Sequence, residues 1–303
     1  MSDRVLDLSD SEAMLSVRLG NLVVRRKDQP ETTVPLIDLS VLVVSNPQVL
    51  YTQAVLANLA ANGGTFIACD ERHLPVAMLL PLAGNSVQTE RFVWQAQAGA
   101  PLRKRLWRQV VRAKIQAQAK LLRAARGEDW GLGALAKRVR SGDPENIEAQ
   151  AARRYWLALF GDDFRRDRML PDQNRNLNYG YAILRGIVTR AICAVGLHPS
   201  FGLHHHNRYD AFCLADDLME PLRPLVDAAV LDWIGVHGTD AAFDKTAKAA
   251  LLQPLLGRIR SEGESRTVFD VAFRTASSVV AALAGERKDL VLPEYDHEPP
   301  DAS

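Results

Sequence analysis

Short runs that are apolar, or that alternate between apolar and polar positions, occur along roughly the first eighty residues. A period of two residues is typical of strands with one buried face. The predicted strands cover residues 5–8, 14–19, 22–24, 32–36, 39–44, 65–69 and 75–80. Residues 52–62 are instead helical in composition and are followed by Gly63 and Gly64, the residue type that commonly follows a helix. The N-terminal part is therefore predicted to be a small β domain with one helix.

Beyond about residue 90, apolar residues recur at helical spacing within long segments rich in Ala, Leu and Arg. Predicted helices cover residues 92–126, 146–160, 179–195, 216–236, 244–261 and 266–283. A β-rich part followed by a helical part predicts an α+β fold in which the two kinds of structure are segregated. We expect a β-rich domain over residues 1–85, a larger all-helical catalytic domain over residues 90–295 and a flexible polar tail over residues 296–303.

Composition narrows the class of protein only slightly. The 303 residues include 37 basic and 36 acidic side chains, so the net charge alone indicates no polyanionic partner. Three dispersed cysteines argue against a disulfide framework. No apolar run approaches the roughly 18 residues that a membrane-spanning helix needs, and the N-terminus lacks the pattern of a signal peptide. These features predict a cytoplasmic protein without a membrane partner.

The charge distribution is more informative than the total. Residues 103–126 contain nine Lys or Arg side chains and no Asp or Glu. A solvated helix face normally mixes charge signs, whereas a stripe of one sign is expected opposite a phosphate backbone. An ordinary solvated face is the alternative interpretation. The candidate DNA-binding cations are Arg103, Arg105, Arg108, Arg112 and Lys114.

A run of three histidines, residues 204–206, precedes Asp216, Asp217 and Glu220. On a helix these acids are three and four residues apart and share a face. Carboxylates with one imidazole favour Mg²⁺ or Mn²⁺ over zinc. Neighbouring side chains in a turn point apart, so at most two of the histidines reach one ion. The alternative is that the acids only complement a helix N-terminus and the histidines lie in a surface loop.

Motifs for other chemistries are weak. The sequence from Gly131 to Ala136 fits a dinucleotide-binding pattern but follows a basic helix instead of a strand, and no acid follows about 20 residues later. Ser200 lacks the surrounding residues of a nucleophile elbow. Neither a CxxC pair nor an HExxH motif is present. Dinucleotide-binding, serine-hydrolase and structural-zinc functions are therefore not favoured.

Five segments in the same order resemble one known family, over roughly residues 4–290. They cover residues 47–82, 106–122, 147–156, 177–185 and 202–227. The chain is similar to the CRISPR-associated spacer-acquisition endonuclease/integrase, the first of the two universal adaptation proteins, in its compact type II-like form. Any one of these segments has little specificity alone, whereas five in order are highly specific.

The resemblance implies a metal site that the local sequence does not identify. The first acid of the family falls on Glu148, which by itself is an ordinary helix glutamate beside an apolar stripe. The family's histidine falls on His205, with a neighbouring histidine as the alternative if the register slips. The last acid falls on Glu220, with Asp217 as an additional or alternative ligand. Magnesium or manganese is the implied ion.

The resemblance also implies a reaction and partners. A prespacer 3′-hydroxyl would attack a phosphodiester at the edge of a CRISPR repeat, and Asn178 and Tyr181 would line the site and contact DNA. For Tyr181, a core aromatic is the alternative. Expected partners are double-stranded DNA, a second copy of the chain, the second adaptation protein in a heterohexamer, and a type II effector nuclease. Other functions left open are a related nuclease of DNA repair or a mobile element and a catalytically silent DNA-binding scaffold.

Overall fold

The computed structural model describes residues 4–9, 11–70, 75–81, 84–167, 169–170 and 172–294. All seven predicted strands are present, together with a short strand, β6, that was not predicted. The N-terminal strands are β1 (Arg4–Leu8), β2 (Met14–Arg18), β3 (Asn21–Arg25), β4 (Thr32–Pro35), β5 (Leu39–Val44), β6 (Leu50–Tyr51), β7 (Thr65–Cys69) and β8 (Pro75–Leu79). Helix α1 (Gln53–Ala61) lies between β6 and β7, as the sequence predicts.

These strands form two four-stranded sheets. The first has the order β1-β5-β7-β8, with β1, β5 and β7 parallel and β8 antiparallel, and the second has the order β4-β3-β2-β6. Every residue of β5 is buried because both faces of its sheet are covered, the usual reason for a continuous apolar strand. Leu42 and Val44 pack in the same core as the second sheet and α1, whereas Val41 and Val43 pack with the helical part.

The rest of the described chain is mainly helical. The helices are α2 (Gln88–Gln97), α3 (Ala100–Arg126), α4 (Leu132–Arg138), α5 (Ile147–Phe160), α6 (Gln173–Ala194), α7 (Cys213–Met219), α8 (Arg223–His237), α9 (Lys245–Leu252) and α10 (Val268–Leu283). The helix predicted over residues 92–126 is two helices, because the helical hydrogen bonding is interrupted between Gln97 and Ala100. Pro101 then lies in the first turn of α3, a position that suits proline. Helix α4 was not predicted.

Helix α6 lies at the centre of the molecule and packs against the first sheet and against α7, α8, α9 and α10. Its close approach to α8 depends on Gly180. A Cβ at that position would lie 2.4 Å from Cγ1 of Val226, far inside normal contact. Because α6 joins the sheet to the helices, the two parts share a continuous core, and the boundary near residues 85–90 stays a prediction.

The α+β fold class is confirmed, but the expectation of an all-helical second part was wrong. Strands β9 (Arg258–Ser261) and β10 (Glu264–Thr267) form a hairpin between α9 and α10. Glu262 and Gly263 both have positive φ, 52° and 73°, as a two-residue hairpin turn requires. The predicted tail over residues 296–303 lies outside the described residues. Within the described ranges, no helix is long and apolar enough to cross a bilayer.

Candidate metal and DNA site

Glu148 lies in the first turn of α5, and the start of that helix is fixed by side-chain hydrogen bonds. The carboxylate of Asp143 accepts hydrogen bonds from the backbone amides of Ile147 and Glu148, both at 2.9 Å. The side chain of Asn146 accepts from the amide of Ala149 at 3.3 Å. Capping of this kind satisfies amides that have no partner within the helix. The position of Glu148 is therefore set by the helix start.

Glu220 lies at the junction between α7 and α8, where a 3-10 turn covers Glu220–Leu222. Its carboxylate is buried, with Oε1 2.9 Å from Arg223 Nε and Oε2 2.6 Å from Lys114 Nζ. Burial acts to raise the pKa of Glu220, but the charges of Arg223 and Lys114 outweigh it and hold that pKa below its usual value. Glu220 is thus an ionised carboxylate inside the protein.

Lys114 brings the two acids together. Its Nζ donates to Glu148 Oε1 at 2.6 Å and lies equally close, at 2.6 Å, to Glu220 Oε2. Burial acts to lower the pKa of Lys114, and the charges of Glu220 and Glu148 reverse this effect and raise it. The prediction that Lys114 belongs to the DNA-contacting stripe is corrected here, because this buried ammonium faces the acids and not solvent.

The histidine loop is held by Asp217, which is completely buried. Oδ2 accepts from the amides of Leu203 and His204, at 2.6 Å and 2.9 Å, and Oδ1 accepts from the amide of His205 at 3.3 Å. Gly202 is required in this loop, since a Cβ there would lie 2.2 Å from the carbonyl oxygen of His205. Both oxygens of Asp217 are thus used by the loop, an arrangement that does not fit the suggested role as a further metal ligand.

The same carboxylate determines how the His205 ring is used. Nδ1 lies 2.6 Å from Asp217 Oδ1, and because a carboxylate only accepts, Nδ1 carries the hydrogen. Nε2 is then the nitrogen left for an ion or a substrate. The hydrogen bond to Asp217 raises the pKa of His205 against the effect of burial, and the charges of Glu220 and Glu148 add to it.

Trp107 packs against the histidine loop, a contact that was not predicted from the sequence. The His204 ring stacks on the indole with centroids 4.4 Å apart and planes at 3°, and the His205 ring meets it edge-on at 5.6 Å. His206 is exposed, and its Nδ1 lies 2.6 Å from the carbonyl oxygen of His204. Trp107 lies seven residues before Lys114, on the same face of α3. This helical spacing is the sequence feature that could have placed Trp107 on the same side of α3 as Lys114.

Asp216, the first acid after the histidine run, has a different partner. Arg185 donates to both of its oxygens, at 2.7 Å and 2.6 Å. Such bidentate pairs fix both side chains. Asp216 therefore does not join Glu148 and Glu220.

A cavity of about 340 Å³ is lined by Arg223, the partner of Glu220, and by the two predicted DNA contacts. Its polar lining residues are Arg166, Asn178, Tyr181, Arg185 and Arg223. Arg166 donates to Asn178 Oδ1 at 2.7 Å, and the Arg223 guanidinium lies 4.6 Å from the centre of the Tyr181 ring. Tyr181 is itself buried and donates its hydroxyl hydrogen to Asp227. The tyrosine is thus both a packed core aromatic and part of the cavity wall.

Fewer of the basic side chains of residues 103–126 share one solvent-facing surface of α3 than the sequence suggested. Arg105, Arg108 and Arg112 are three and seven residues apart on α3 and share one partly exposed face, and Arg103 is exposed. Leu106, Val110 and Ile115 face the core. Two other arginines of the segment have intramolecular roles. Arg123 pairs with Asp129, and Arg126 donates to the last carbonyls of α5.

No three His, Cys, Asp or Glu side chains of the described part of the chain converge closely enough to hold a metal ion. Lys114 instead lies between the two acids. The donor chemistry nevertheless fits a hard divalent cation: two carboxylates and one imidazole nitrogen. Oε2 of Glu220 is buried and lies 2.6 Å from the Lys114 ammonium.

Comparison with known proteins identifies the family. Residues 6–258 match the family model described as CRISPR associated protein Cas1. The chain belongs to the Cas1 family. The CRISPR-associated endonuclease Cas1 of Neisseria meningitidis serogroup C is 36% identical over 284 residues, which cover 92% of each chain. An endonuclease Cas1 of Pyrobaculum aerophilum is 28% identical, over 72% of this chain and 78% of the relative.

Solved structures show the same Cas1 fold at low sequence identity. A casposase bound to its integration product matches 95% of this chain and 92% of its own, with a TM-score of 0.78 and 19% identity. A Cas1 protein from Thermotoga maritima matches 97% of this chain and all of its own, with a TM-score of 0.77 and 16% identity. The family resemblance predicted from five sequence segments is confirmed.

Proposed function

We propose that this Cas1-family chain is a metal-dependent DNA endonuclease and integrase that inserts prespacer DNA into a CRISPR array. The observation that carries the proposal is the convergence of Glu148 and Glu220 on one positive charge, 2.6 Å from each. Two acids from separate elements, α5 and the turn between α7 and α8, meet at this point, and Asp217 fixes the tautomer of His205. The 36% identity to a CRISPR-associated endonuclease supports the same function.

Glu148, Glu220 and Nε2 of His205 would hold Mg²⁺ or Mn²⁺. When bound, such an ion stabilises the negative charge that develops on phosphate oxygens and orients a nucleophile. Asp217 keeps Nδ1 of His205 protonated, so that Nε2 faces the site. Arg223 balances the charge of Glu220 from the opposite side.

The proposed reaction exchanges one phosphodiester for another. The 3′-hydroxyl oxygen of the prespacer forms a bond to a phosphorus at the repeat edge, and the bond from that phosphorus to the 3′-oxygen of the repeat strand breaks. The hydroxyl proton is lost from the nucleophile, and the departing oxygen gains one. Water in place of the hydroxyl gives the endonuclease reaction. No nucleophilic protein side chain is needed.

DNA would be held by the cations around the site. Arg103, Arg105, Arg108 and Arg112 of α3 are proposed to contact phosphates without reading sequence. Asn178 and Tyr181 are proposed to contact the strand from the cavity, where three arginines provide positive charge. The exposed apolar side chains of Met14, Leu50 and Tyr51, on the paired strands β2 and β6, support dimerisation through the N-terminal sheets.

Further proposed partners are the second adaptation protein, in a heterohexamer, and a type II effector nuclease. A solved Cas6-RT-Cas1–Cas2 complex contains a chain with this fold, with a TM-score of 0.77 and 16% identity. Function in DNA repair or in a mobile element would use the same site on other DNA, and it predicts activity that does not depend on a repeat. A silent scaffold is disfavoured, since both acids and the histidine are present.

A strand-transfer assay tests the proposed function. The assay contains the purified protein, its second adaptation partner, a short double-stranded DNA with 3′-hydroxyl ends and a supercoiled plasmid that carries a repeat. We expect covalent insertion of the short DNA at the repeat edge. Chelation of divalent ions should remove the product, and Mn²⁺ should restore it. Insertion independent of the repeat would favour the mobile-element function, and DNA binding without any strand transfer would favour the scaffold.

Neutralising the arginine face of α3 is expected to weaken DNA binding and reduce its salt dependence. The change is the triple replacement of Arg105, Arg108 and Arg112 by glutamine. Each lost phosphate contact lowers the slope of log affinity against log salt by about 0.9. Fluorescence anisotropy at several salt concentrations measures this slope. Replacement of Arg18 and Arg25, which pair with Glu31 in the N-terminal part, by glutamine is the control for loss of positive charge away from α3. An equal slope in the triple variant would contradict the assignment.

A further inference from the structure

The feature that the proposed function leaves unexplained is the position of Lys114. Its ammonium contacts Glu148 and Glu220 at 2.6 Å each, at the place where their carboxylates converge. The lysine side chain is 11% exposed, and those of Glu148 and Glu220 are 22% and 6% exposed. A buried amine on the inner face of α3 is therefore built into the same site as the acids.

The charges in this cluster balance without any ion. Glu148 and Glu220 carry two negative charges, and Lys114 and Arg223 carry two positive charges. Two carboxylates brought together inside a protein repel each other and are poorly solvated. Lys114 is the group that contacts both. Without it, Arg223 would remain as the partner of Glu220, and Glu148 would lose its hydrogen bond at this end of α5.

We propose that Lys114 is an internal counter-ion that occupies the shared position of the two carboxylates and is displaced when a divalent cation binds there. The proposal rests on the proposed function, since it concerns the same metal site. An ion between these oxygens would bond to them at about 2.0–2.1 Å if it were Mg²⁺. The ammonium cannot remain at that position, and its flexible four-carbon stem allows it to withdraw. Lys114 is thus a positioning residue that keeps the acids together and competes with the ion.

The decisive measurement is the affinity for Mn²⁺ alone, without DNA. In the Lys114→Met variant the competing charge is gone, and the dissociation constant is expected to fall at least tenfold. Electron paramagnetic resonance of the free ion measures it directly. The control is Lys104→Met, which removes the same charge from the same helix about 15 Å away and should leave the dissociation constant unchanged. An unchanged or weaker affinity in Lys114→Met would overturn the proposal.

Thermal unfolding tests the counter-ion role without relying on ion affinity. Metal-free Lys114→Met is expected to melt at a lower temperature than the original protein and to gain more from added Mn²⁺. The double variant Lys114→Met/Glu148→Gln removes one charge of each sign and should melt at a higher temperature than the single variant in the absence of metal. If the double variant is no more stable than the single one, charge balance is not the role of Lys114. This comparison stays informative even where the single variant folds poorly.

The two proposals fail in different ways. If Mn²⁺ binding to the original protein is lost on Glu220→Gln replacement but Lys114→Met does not strengthen it, only the counter-ion proposal fails. If Glu220→Gln leaves Mn²⁺ binding unchanged in both the original and the Lys114→Met backgrounds, the ion binds elsewhere. In that case the proposed metal site fails, and the counter-ion proposal fails with it.

Discussion

Replacing Glu148 by glutamine or His205 by alanine is expected to lower the rate of strand transfer roughly a thousandfold, while the protein remains folded. A metal ion contributes several kcal/mol of transition-state stabilisation, and about 4 kcal/mol corresponds to a thousandfold change in rate. Glutamine keeps the shape of Glu148 but loses the charge that binds the ion. Alanine at His205 removes Nε2, and the loop itself stays held by the backbone bonds to Asp217. The measurement is the initial rate of insertion at saturating Mn²⁺.

The chain offers close controls for both changes. Glu145→Gln replaces a surface acid at the start of the same helical segment, where it pairs with Arg138 and Arg140. His206→Ala removes the exposed histidine next to His205. Both controls are expected to retain nearly full activity. If Glu148→Gln or His205→Ala matched its control, that residue would not be part of the site.

Glu220 needs a different replacement because its carboxylate is buried among charges. Alanine there would leave Arg223 and Lys114 without a shared partner, so loss of activity would be confounded by loss of stability. Glu220→Gln keeps the volume and is the informative variant. Its melting temperature should therefore be reported beside its strand-transfer rate.

The sequence predicted the elements of the fold more reliably than their junctions. Strand β5 was predicted from a run that is apolar except for Ser40, and burial of both faces explains that run. The hairpin of β9 and β10 was missed because its residues were assigned to the neighbouring helices. The Glu262-Gly263 pair is the sequence feature that could have indicated a hairpin turn. Short strands paired only with each other carry little periodicity, so tertiary packing determines them.

The site was predicted unevenly for a comparable reason. Glu148 has no local signal, and only the family resemblance selected it. Lys114 was grouped with the surface cations because charge counts ignore helical phase. Its spacing of three and seven residues from Val111 and Trp107, both buried, places it on the inner face of α3. The role of Asp217 could not be predicted, because its partners are backbone amides of a loop whose conformation the sequence does not reveal.

Asp217→Asn is expected to reduce both stability and activity, and it distinguishes an orienting residue from a metal ligand. The carboxylate accepts four contacts, three from amides and one from Nδ1 of His205. An asparagine presents an NH₂ group to part of that set, so buried donors lose acceptors at about 1–3 kcal/mol each. We expect the free energy of unfolding in urea to fall by about 2–4 kcal/mol and strand transfer to fall about 10- to 100-fold.

The test specific to orientation is the tautomer of His205, read from long-range ¹H–¹⁵N correlations of the imidazole in metal-free protein. With Asp217 present, the hydrogen is expected on Nδ1, because a carboxylate only accepts. With asparagine, whose NH₂ group can donate to Nδ1, the Nε2–H tautomer should become populated and the nitrogen that faces the site should lose its lone pair. The control is Asp210→Asn in the same loop, where Oδ1 accepts from the amide of Phe212 at 2.8 Å and an amide oxygen serves equally well. An unchanged tautomer together with lost Mn²⁺ binding in Asp217→Asn would instead make Asp217 a ligand.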